Sequence, residues 1–317
     1  MSFKNKISLI TGGAGFIGSH LADRLLEQNS EKVIILDNFI SGSIRNIKHL
    51  QNDKRIEIIR GDVRNFQEVK KCIHAVDYVF HEAASKMVIS IDNPREDLET
   101  NIIGPFNIIQ AALNTNVRIV HASTGSVFGS SNVPMKENHI KNPASPYGIS
   151  KLAGETYMLY YAKEFGLRSS VIRYFHVFGP RQDYSGEAGV VSIFLARVLQ
   201  NKAPIIFSGG NQIRCFTFVE DSVDATLLLA KSKNAIGQDY NVASKTRMTV
   251  NELAKIIINR YGSGNIKPIY GKYRKGENPK PIPDTSKIEK MGFSAKISFD
   301  EGLEITKKWV EKNVKEE

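Results

Sequence analysis

The 317-residue sequence predicts an α/β protein built on a doubly wound parallel sheet. Three observations support this fold class: apolar, strand-like runs alternate with helical patterns, a glycine-rich turn follows the first run, and an acidic residue ends the second. Such alternation indicates βαβ units, and right-handed crossovers place ligands at the carboxyl ends of the strands. The predicted strands are residues 6–11, 33–37, 56–61, 76–81, 117–123 and 169–175, and the predicted helices are 16–28, 66–74, 94–114 and 147–164.

The turn after the first strand predicts a dinucleotide site of the Rossmann type. It reads TGGAGFIG over residues 11–18, where glycines allow a tight turn and a close approach of the backbone to a pyrophosphate. The following helix presents free N–H groups and its positive dipole end to that anion. Asp37 ends the next strand, where a carboxylate accepts hydrogen bonds from an adenosine ribose. The predicted cofactor contacts of this turn are Gly12, Gly15, Phe16, Ile17 and Gly18.

Asp37 also favours NAD over NADP, because its charge would repel a ribose 2′-phosphate. No arginine follows Asp37 directly, and Arg45 is the nearest candidate exception.

The regular alternation of strand-like and helical patterns ends at about residue 176. Residues 1–176 are predicted to form the NAD-binding domain and residues 177–317 a smaller α/β substrate-binding lobe, with 216–230 packing back on the larger domain. Thr249 with Glu252 predicts a helix over 250–261, and Ser298 with Glu301 predicts a final helix to about 313. Residues 263–287 are rich in Lys, Pro and Gly and are predicted to be loops. The site is expected in the cleft between the two units.

Composition excludes several classes of function. The net charge of +10 is spread along the chain without a basic arm, which argues against specific nucleic-acid binding and is compatible with a phosphate-bearing substrate. Two cysteines, Cys72 and Cys215, give neither a disulfide framework nor a metal-ligand spacing, so no metal is predicted and a reducing, cytoplasmic location is expected. No apolar run approaches the ~20 residues of a membrane span.

Tyr147 and Lys151 are candidate catalytic residues. If Pro146 begins a helix, residues four apart fall on one face. The ammonium of Lys151 and a cationic nicotinamide ring would then lower the pKa of the Tyr147 phenol toward neutral pH. Such a tyrosine can act as a general base. The YxxxK spacing alone is equally compatible with an ordinary amphipathic helix. Thr124 adds a hydroxyl at the end of a predicted strand, and the three together predict a hydride-transfer site.

These motifs resemble the extended short-chain dehydrogenase/reductase family of nucleotide-sugar enzymes, and within it the UDP-glucose (UDP-galactose) 4-epimerases. The resemblance covers essentially the whole chain. The strings that carry it are TGGAGFIGSHL, DNFISGSIRNI, GDVRN, HEAASK, SPYGISK, RYFHVFGPRQ, RKGENPKP and DTSK.

The resemblance implies roles for individual residues. Thr124, Tyr147 and Lys151 match the family's catalytic residues. Beyond the glycine turn, the implied NAD contacts are Asp37 and Asn38 at the ribose, Asp62 and Val63 at the adenine, Ala83, Lys86 and Asn101 from the pyrophosphate to the nicotinamide, and Tyr147, Lys151 and Tyr174 near the nicotinamide. The implied contacts of a UDP-sugar substrate are Lys86, Thr124, Tyr147, His176, Val190, Phe207 at the uracil, and Arg214 and Arg274 at the diphosphate.

The residues after Thr124 favour a 4-epimerase that works through a transient 4-keto sugar. In the family that the chain resembles, dehydratases have an Asp-Glu pair directly after this threonine, and decarboxylases have a Glu two places after it. This chain has Gly125 and Ser126 at these positions. The expected substrates are UDP-glucose and UDP-galactose. The alternatives are a UDP-glucuronate epimerase, a keto-sugar reductase, a dehydratase or a decarboxylase on the same scaffold, and a non-catalytic NAD-binding sensor or scaffold.

The chain departs from the family pattern at several positions. His176 replaces the usual Asn, Cys215 replaces a local carboxylate, and Glu82 lies close to the expected nicotinamide site. Pro281 stands where some 4-epimerases have a large Tyr, which suggests room for the N-acetyl group of UDP-GlcNAc or UDP-GalNAc.

The resemblance also implies a homodimer in which the Tyr147 helix and the long helix before it form a four-helix bundle. Met158, Leu159 and Tyr161 fit an apolar face for that contact, and a monomer core would give the same pattern.

Overall fold

The computed structural model describes residues 2–185, 189–273 and 282–315. Its strands are β1 Ile7–Thr11, β2 Lys32–Asp37, β3 Ile56–Arg60, β4 Tyr78–His81, β5 Arg118–Thr124, β6 Ser169–Tyr174, β7 Val177–Phe178, β8 Ile205–Ile206, β9 Ile213–Cys215, β10 Thr217–Phe218, β11 Asp239–Val242, β12 Arg247–Thr249 and β13 Ile269–Tyr270.

The helices include a π-helical segment, Glu99–Ile103, and short 3₁₀ turns at Lys48–Leu50, Gly125–Phe128, Ser208–Gly210 and Lys233–Ala235. The α-helices are α1 Phe16–Glu27, α2 Ile44–Ile47, α3 Phe66–Ile73, α4 Met87–Asp92, α5 Pro94–Leu98, α6 Gly104–Ala112, α7 Pro146–Phe165, α8 Val190–Leu199, α9 Val219–Lys231, α10 Val250–Tyr261, α11 Ser286–Glu289 and α12 Phe299–Val314.

Seven strands form one central sheet in the order β11-β6-β5-β4-β1-β2-β3. All its pairings are parallel: Ile10 of β1 lies beside Ile35 of β2 on one side and Phe80 of β4 on the other. The strand order reverses between β1 and β4, and ligands of doubly wound sheets bind at such a switch point. The predicted fold class is confirmed.

The central sheet is buried on both faces because successive side chains of a strand point to opposite sides. Ile10 packs in the cluster that includes α1 and α9, whereas its neighbour Leu9 packs in the cluster that includes α3, α6 and α7. This arrangement explains why the strands are almost continuously apolar and why their ends are easy to find in the sequence. A separate apolar cluster is built mainly from α8, α10 and α12.

The chain returns to the central sheet twice after residue 176. Helix α9 packs against α1 and the strands β5 and β6, and β11 pairs with β6 to add a seventh strand. Sequence reasoning missed β11, since Asp239–Val242 is short and its pairing partner lies far away in sequence. The division of the chain at residue 176 stays a prediction.

The predicted helix caps are present in the structure. Thr249 and Glu252 form a reciprocal capping box at α10, and Ser298 accepts a hydrogen bond from the backbone N–H of Glu301 at α12. The predicted 94–114 helix is divided, because the π-helical segment separates α5 from α6. The predicted loop region 263–287 contains β13 and the first residues of α11. Within the described ranges, no helix combines the length and apolarity that crossing a bilayer requires.

Candidate active site

A cleft of about 930 Å³ opens at the carboxyl ends of β1, β2, β4, β5 and β6. It extends from the glycine turn to the loop before α8 and to α12, so it brings together residues far apart in sequence. The predicted site residues that line it are Gly12, Gly15, Phe16, Ile17, Gly18, Asp37, Asn38, Val63, Ala83, Lys86, Thr124, Tyr147, Tyr174, His176, Val190, Phe207 and Arg214.

The glycine turn fits a pyrophosphate. Gly12 has a φ of +69°, and an added Cβ would lie 2.7 Å from the backbone nitrogen of Ala83, so a side chain here would be strained and would clash. Gly15 caps the N-terminus of α1, whose first turn contains no acidic residue. The free N–H groups of the first turn of α1 therefore face the cleft without a competing carboxylate from that turn.

Asp37 is held in place at the adenosine end of the cleft. Its carboxylate accepts hydrogen bonds from the backbone N–H groups of Ala14, at 2.9 Å, and Phe39, at 2.8 Å. Burial raises the pKa of Asp37, and these two donors oppose that effect. Arg45, the candidate exception for NADP, lines the cleft and donates to Asn313 of α12 at 3.4 Å.

Asn38 and Asp62 are linked at the same end of the cleft. Asn38 Nδ2 donates to Asp62 at 2.9 Å, and Arg64 forms an ion pair with Asp62 at 2.7 Å. Asp62 does not line the cleft itself, whereas its neighbour Val63 does. Asp62 is thus placed to orient Asn38, and a direct contact with adenine stays a prediction.

The catalytic candidates lie where β5 ends and α7 begins. Ser145 caps α7 by accepting a hydrogen bond from the backbone N–H of Gly148, at 3.1 Å, and Pro146 occupies the first turn. Tyr147 and Thr124 both line the cleft. Lys151 lies one turn further along α7, is only 2% exposed, and does not line the cleft.

Burial is the largest influence on the pKa values of Tyr147 and Lys151. It raises the pKa of Tyr147 to about 12, although the side chain of Thr124 acts in the opposite direction. It lowers the pKa of Lys151 to about 8, against the negative charges of Glu82, Asp97 and Glu155. In the protein alone, Lys151 by itself does not bring the pKa of Tyr147 toward neutral, so the expected lowering depends on the cationic nicotinamide ring as well. Positive charge from a bound ligand is needed in addition.

Asn101 is buried beneath the cleft and does not line it. Its Oδ1 accepts a hydrogen bond from the backbone N–H of Ser85 at 3.0 Å, while its Nδ2 donates to Asp97 at 2.7 Å and to Ser150 at 3.2 Å. Asn101 lies in the π-helical segment, a feature frequent at functional sites. It connects the loop after β4 to α7, and its expected contact with the cofactor stays a prediction.

His176 and Arg214 are neighbours at the other end of the cleft. His176 has a φ of +44°, and no hydrogen-bond partner for its buried Nδ1 is present among the described residues. Burial lowers the pKa of His176 well below its usual value, and the positive charge of Arg214 lowers it further. A neutral imidazole therefore lies beside the guanidinium in the region where the sequence places the substrate.

The other predicted substrate contacts lie on separate elements. Phe207 is 36% exposed before a 3₁₀ turn, and Val190 begins α8. Lys86 precedes α4, and its Nζ lies 2.9 Å from the carboxylate of Asp183. The remaining positions named from the sequence, Arg274 and Pro281, lie outside the described residues.

Sequence reasoning missed the loop before α8 and one residue of α12. Trp309, the only tryptophan of the sequence, lines the cleft. So do five consecutive residues of this loop: Arg181, Gln182, Asp183, Tyr184 and Ser185. The rings of Tyr184 and Trp309 lie 5.9 Å apart. The Gly- and Pro-rich composition of residues 179–189 indicates a loop but not the direction in which it faces.

Cys72 and Cys215 are both buried and both free of disulfide bonds. In the part of the chain that the structure describes, no group of three or more His, Cys, Asp and Glu side chains could hold a metal ion. The expected cytoplasmic location stays a prediction.

A glycine turn at the switch point of a parallel sheet, with a threonine, tyrosine and lysine beside it, defines a short-chain dehydrogenase/reductase. Residues 9–306 match the family model described as GDP-mannose 4,6 dehydratase. The chain belongs to this family of nucleotide-sugar enzymes, as the resemblance of its motifs implied.

Relatives within the family carry out different reactions. A Methanocaldococcus jannaschii protein named "Putative UDP-glucose 4-epimerase" is 40% identical over 310 residues, which are 96% of this chain and 98% of that one. The UDP-N-acetyl-alpha-D-glucosaminuronate decarboxylase of Bacillus cytotoxicus is 34% identical over 317 residues, 96% of this chain and 97% of that one. The structure of Thermus thermophilus UDP-glucose 4-epimerase in complex with NAD matches with a TM-score of 0.86 and 30% identity, over 96% of this chain and 98% of that one. The family match thus leaves open which reaction this chain catalyses.

Proposed function

We propose that the protein is an NAD-dependent UDP-sugar 4-epimerase that interconverts UDP-glucose and UDP-galactose. The observation that carries this proposal is the placement of Tyr147 and Thr124 together in the cleft, with Lys151 buried one turn behind Tyr147. The similarity to two proteins named as UDP-glucose 4-epimerases supports the same reaction.

The residues of the cleft fit NAD. The turn from Gly12 to Gly18 would hold the pyrophosphate, and Asp37 and Asn38 would hold the adenosine ribose. Bound NAD would accept a hydride from C4 of the sugar and return it, and its cationic ring would add positive charge near Tyr147.

The side chains would bind the 4-OH group of the sugar and transfer its proton. Tyr147 Oη would accept the proton of the sugar 4-OH, and Thr124 Oγ1 would share that hydrogen bond. Lys151 lies one turn beyond Tyr147 on α7, and its positive charge would stabilise the phenolate. When the hydride returns to the other face of the 4-keto sugar, Tyr147 would give its proton back, so no net proton is consumed.

The positions after Thr124 support epimerisation over elimination or decarboxylation. Thr124 Oγ1 lies 3.3 Å from Ser126 Oγ, where related decarboxylases would have a carboxylate. A hydroxyl at this position cannot supply the second acid or base that those reactions require. The identity of this residue therefore favours rotation of the 4-keto sugar and return of the hydride.

The proposed reaction is tested by turnover without added cofactor. Purified protein is given UDP-galactose, UDP-GalNAc and UDP-glucuronic acid in separate reactions, and the products are identified by NMR. We expect conversion of UDP-galactose to its 4-epimer and release of NAD on denaturation. Conversion of the N-acetylated sugar as well would extend the substrate range, as the sequence at Pro281 suggests. Conversion of UDP-glucuronic acid alone, loss of CO₂, or bound NAD with no conversion would overturn the proposal.

The proposed enzyme is a homodimer, and its expected contact surface needs one correction. Met158 is fully buried in the monomer core, and Leu159 and Tyr161 pack partly against that core, because this side of α7 faces the sheet. The large apolar side chains left exposed on α7 and on the helical segment before it are Leu98, Ile103, Ile149, Tyr157, Tyr160 and Phe165. Two copies that pair these faces would bury them together.

The mass of the protein in solution tests this contact. Light scattering should give twice the chain mass of 35.4 kDa, and Tyr160→Glu should reduce it to one chain. A wild-type monomer at micromolar concentration, or a variant that stays dimeric, would contradict the contact surface.

A further inference from the structure

Glu82 lies in the cleft without a role in the proposed reaction. Its Oε1 is 3.0 Å from the hydroxyl of Tyr174, which is 2.7 Å from the hydroxyl of Thr226. Thr226 Oγ1 in turn lies 2.8 Å from the backbone carbonyl of Ser222. A carboxyl group, two hydroxyl groups and a carbonyl thus form one hydrogen-bonded chain from the end of β4, across β6, to α9.

The number of protons in this hydrogen-bonded chain depends on whether Glu82 is protonated. Three contacts need three donated protons, but the hydroxyls of Tyr174 and Thr226 supply only two. If Glu82 is protonated, it donates to Tyr174, Tyr174 donates to Thr226, and Thr226 donates to the carbonyl of Ser222. If Glu82 is ionised, Tyr174 donates to Glu82 and Thr226 to Tyr174, and Ser222 loses its hydroxyl donor. Protonation of Glu82 therefore completes the chain and reverses its direction.

The surroundings of Glu82 connect this proton to the catalytic residues. Among the described residues, the titratable groups that act on Glu82 or respond to it are Tyr174 of β6 and Tyr147 and Lys151 of α7. Burial raises the pKa of Glu82 to about 7, while the hydrogen bond with Tyr174 and the charge of Lys151 oppose that effect. The negative charge of Glu82 raises the pKa of Tyr147 and that of Lys151.

We propose that Glu82 is a positioning residue for Tyr147 and Lys151: it holds a proton on the chain through Tyr174 and Thr226, and the loss of that proton changes the charge that acts on the catalytic pair. Its effect on turnover rests on the proposed 4-epimerase function, whereas its protonation can be measured without substrate.

The first test is the infrared spectrum of the purified full-length protein without substrate. We expect the band of a buried, protonated carboxyl group to disappear as the pH rises through about 7, and to be absent from Glu82→Gln. Thr226→Val costs the protonated arrangement two hydrogen bonds and the ionised arrangement only one, so the band should disappear about one pH unit lower. A band that the Glu82→Gln variant retains, or one that Thr226→Val does not move, would overturn the proposal.

The second test is the pH dependence of turnover. Glu82→Gln keeps the size of the side chain and an oxygen that can accept from Tyr174, but it removes the charge. Because that charge is present above about pH 7 and raises the pKa of both catalytic groups, the alkaline limb of the pH profile should move to lower pH, by about one unit. A limb below pH 7, where Glu82 already carries its proton, should not move. The control is Glu57→Gln, whose carboxylate lies on β3 in an ion pair with Lys32, and its profile should not move.

The two tests separate the two proposals. Lower activity of Glu82→Gln at every pH, without a shift of the profile, would indicate a merely structural role and overturn the inference. If the wild-type protein turns over no nucleotide sugar, the proposed function fails, and the infrared titration still decides whether Glu82 holds the proton.

Discussion

Replacing Tyr147 with phenylalanine is expected to lower kcat by about 10²–10⁴-fold, the range over which a general acid or base contributes to enzyme catalysis. The change removes only the hydroxyl group that would take the proton of the sugar 4-OH and that lies in the cleft with Thr124. The aromatic ring and the fold of α7 should be preserved, so KM for the UDP-sugar should change much less than kcat. Initial rates of 4-epimer formation, followed by NMR, measure both constants.

The matched control is Tyr261→Phe at the end of α10. Its hydroxyl donates to Glu304 of α12, away from the cleft, and its loss should leave kcat unchanged. A Tyr147→Phe variant that retains wild-type turnover would exclude Tyr147 as the base and would favour the alternative of a non-catalytic NAD-binding protein.

Replacing Glu155 with glutamine is expected to lower the free energy of unfolding by about 3–5 kcal/mol, the usual cost of breaking a buried ion pair from one side. Arg173 is fully buried and donates to Glu155 at 2.9 and 2.7 Å, and Ser123 donates to the same carboxylate at 2.7 Å. Glutamine leaves the guanidinium with Asp239, at 2.5 Å, as its remaining partner of opposite charge. Denaturation by urea, followed by circular dichroism, measures the loss.

The exposed pair Lys32–Glu57 serves as the control for this effect. Both side chains are more than 40% exposed, and Glu57→Gln should therefore leave the denaturation midpoint nearly unchanged. Equal midpoints for the two variants would show that the buried pair contributes no more than a surface pair.

The buried ion pair also connects the three elements that carry the site. Ser123 precedes Thr124, Glu155 lies one turn beyond Lys151, and Arg173 precedes Tyr174. A loss of this pair is expected to displace β5, β6 and α7 relative to one another. We therefore expect the Glu155→Gln variant to lose part of its turnover even at temperatures where it stays folded.

The sequence was sufficient to predict the features that depend on local pattern. Six strands of the central sheet have continuous apolar runs with clear ends, and the glycine turn lies directly between a strand and a helix. Tyr147 and Lys151 lie on one helix that begins at a proline, so their common face follows from their spacing. The placement of Thr124 beside Tyr147 followed from the strand end and the family resemblance together.

Features that depend on tertiary packing could not be predicted in the same way. The pairing of β11 with β6 and the burial of Asn101 beneath the cleft both arise from contacts between distant segments. The pKa of Tyr147 was expected to fall, but the sequence contains no measure of burial, which dominates this group. The hydrogen-bonded chain of Glu82 combines residues from three elements and carries no sequence motif.

Trp309 gives the protein a built-in optical probe. As the only indole of the chain it accounts for all tryptophan emission, and it borders the cleft beside Tyr184. Light absorbed above the tyrosine band therefore reports on one place in the molecule, where α12 meets the loop before α8. Ligand titrations that change its intensity or wavelength read occupancy of the cleft directly, with no label and no coupled enzyme, and they can be followed on the time scale of a stopped-flow experiment.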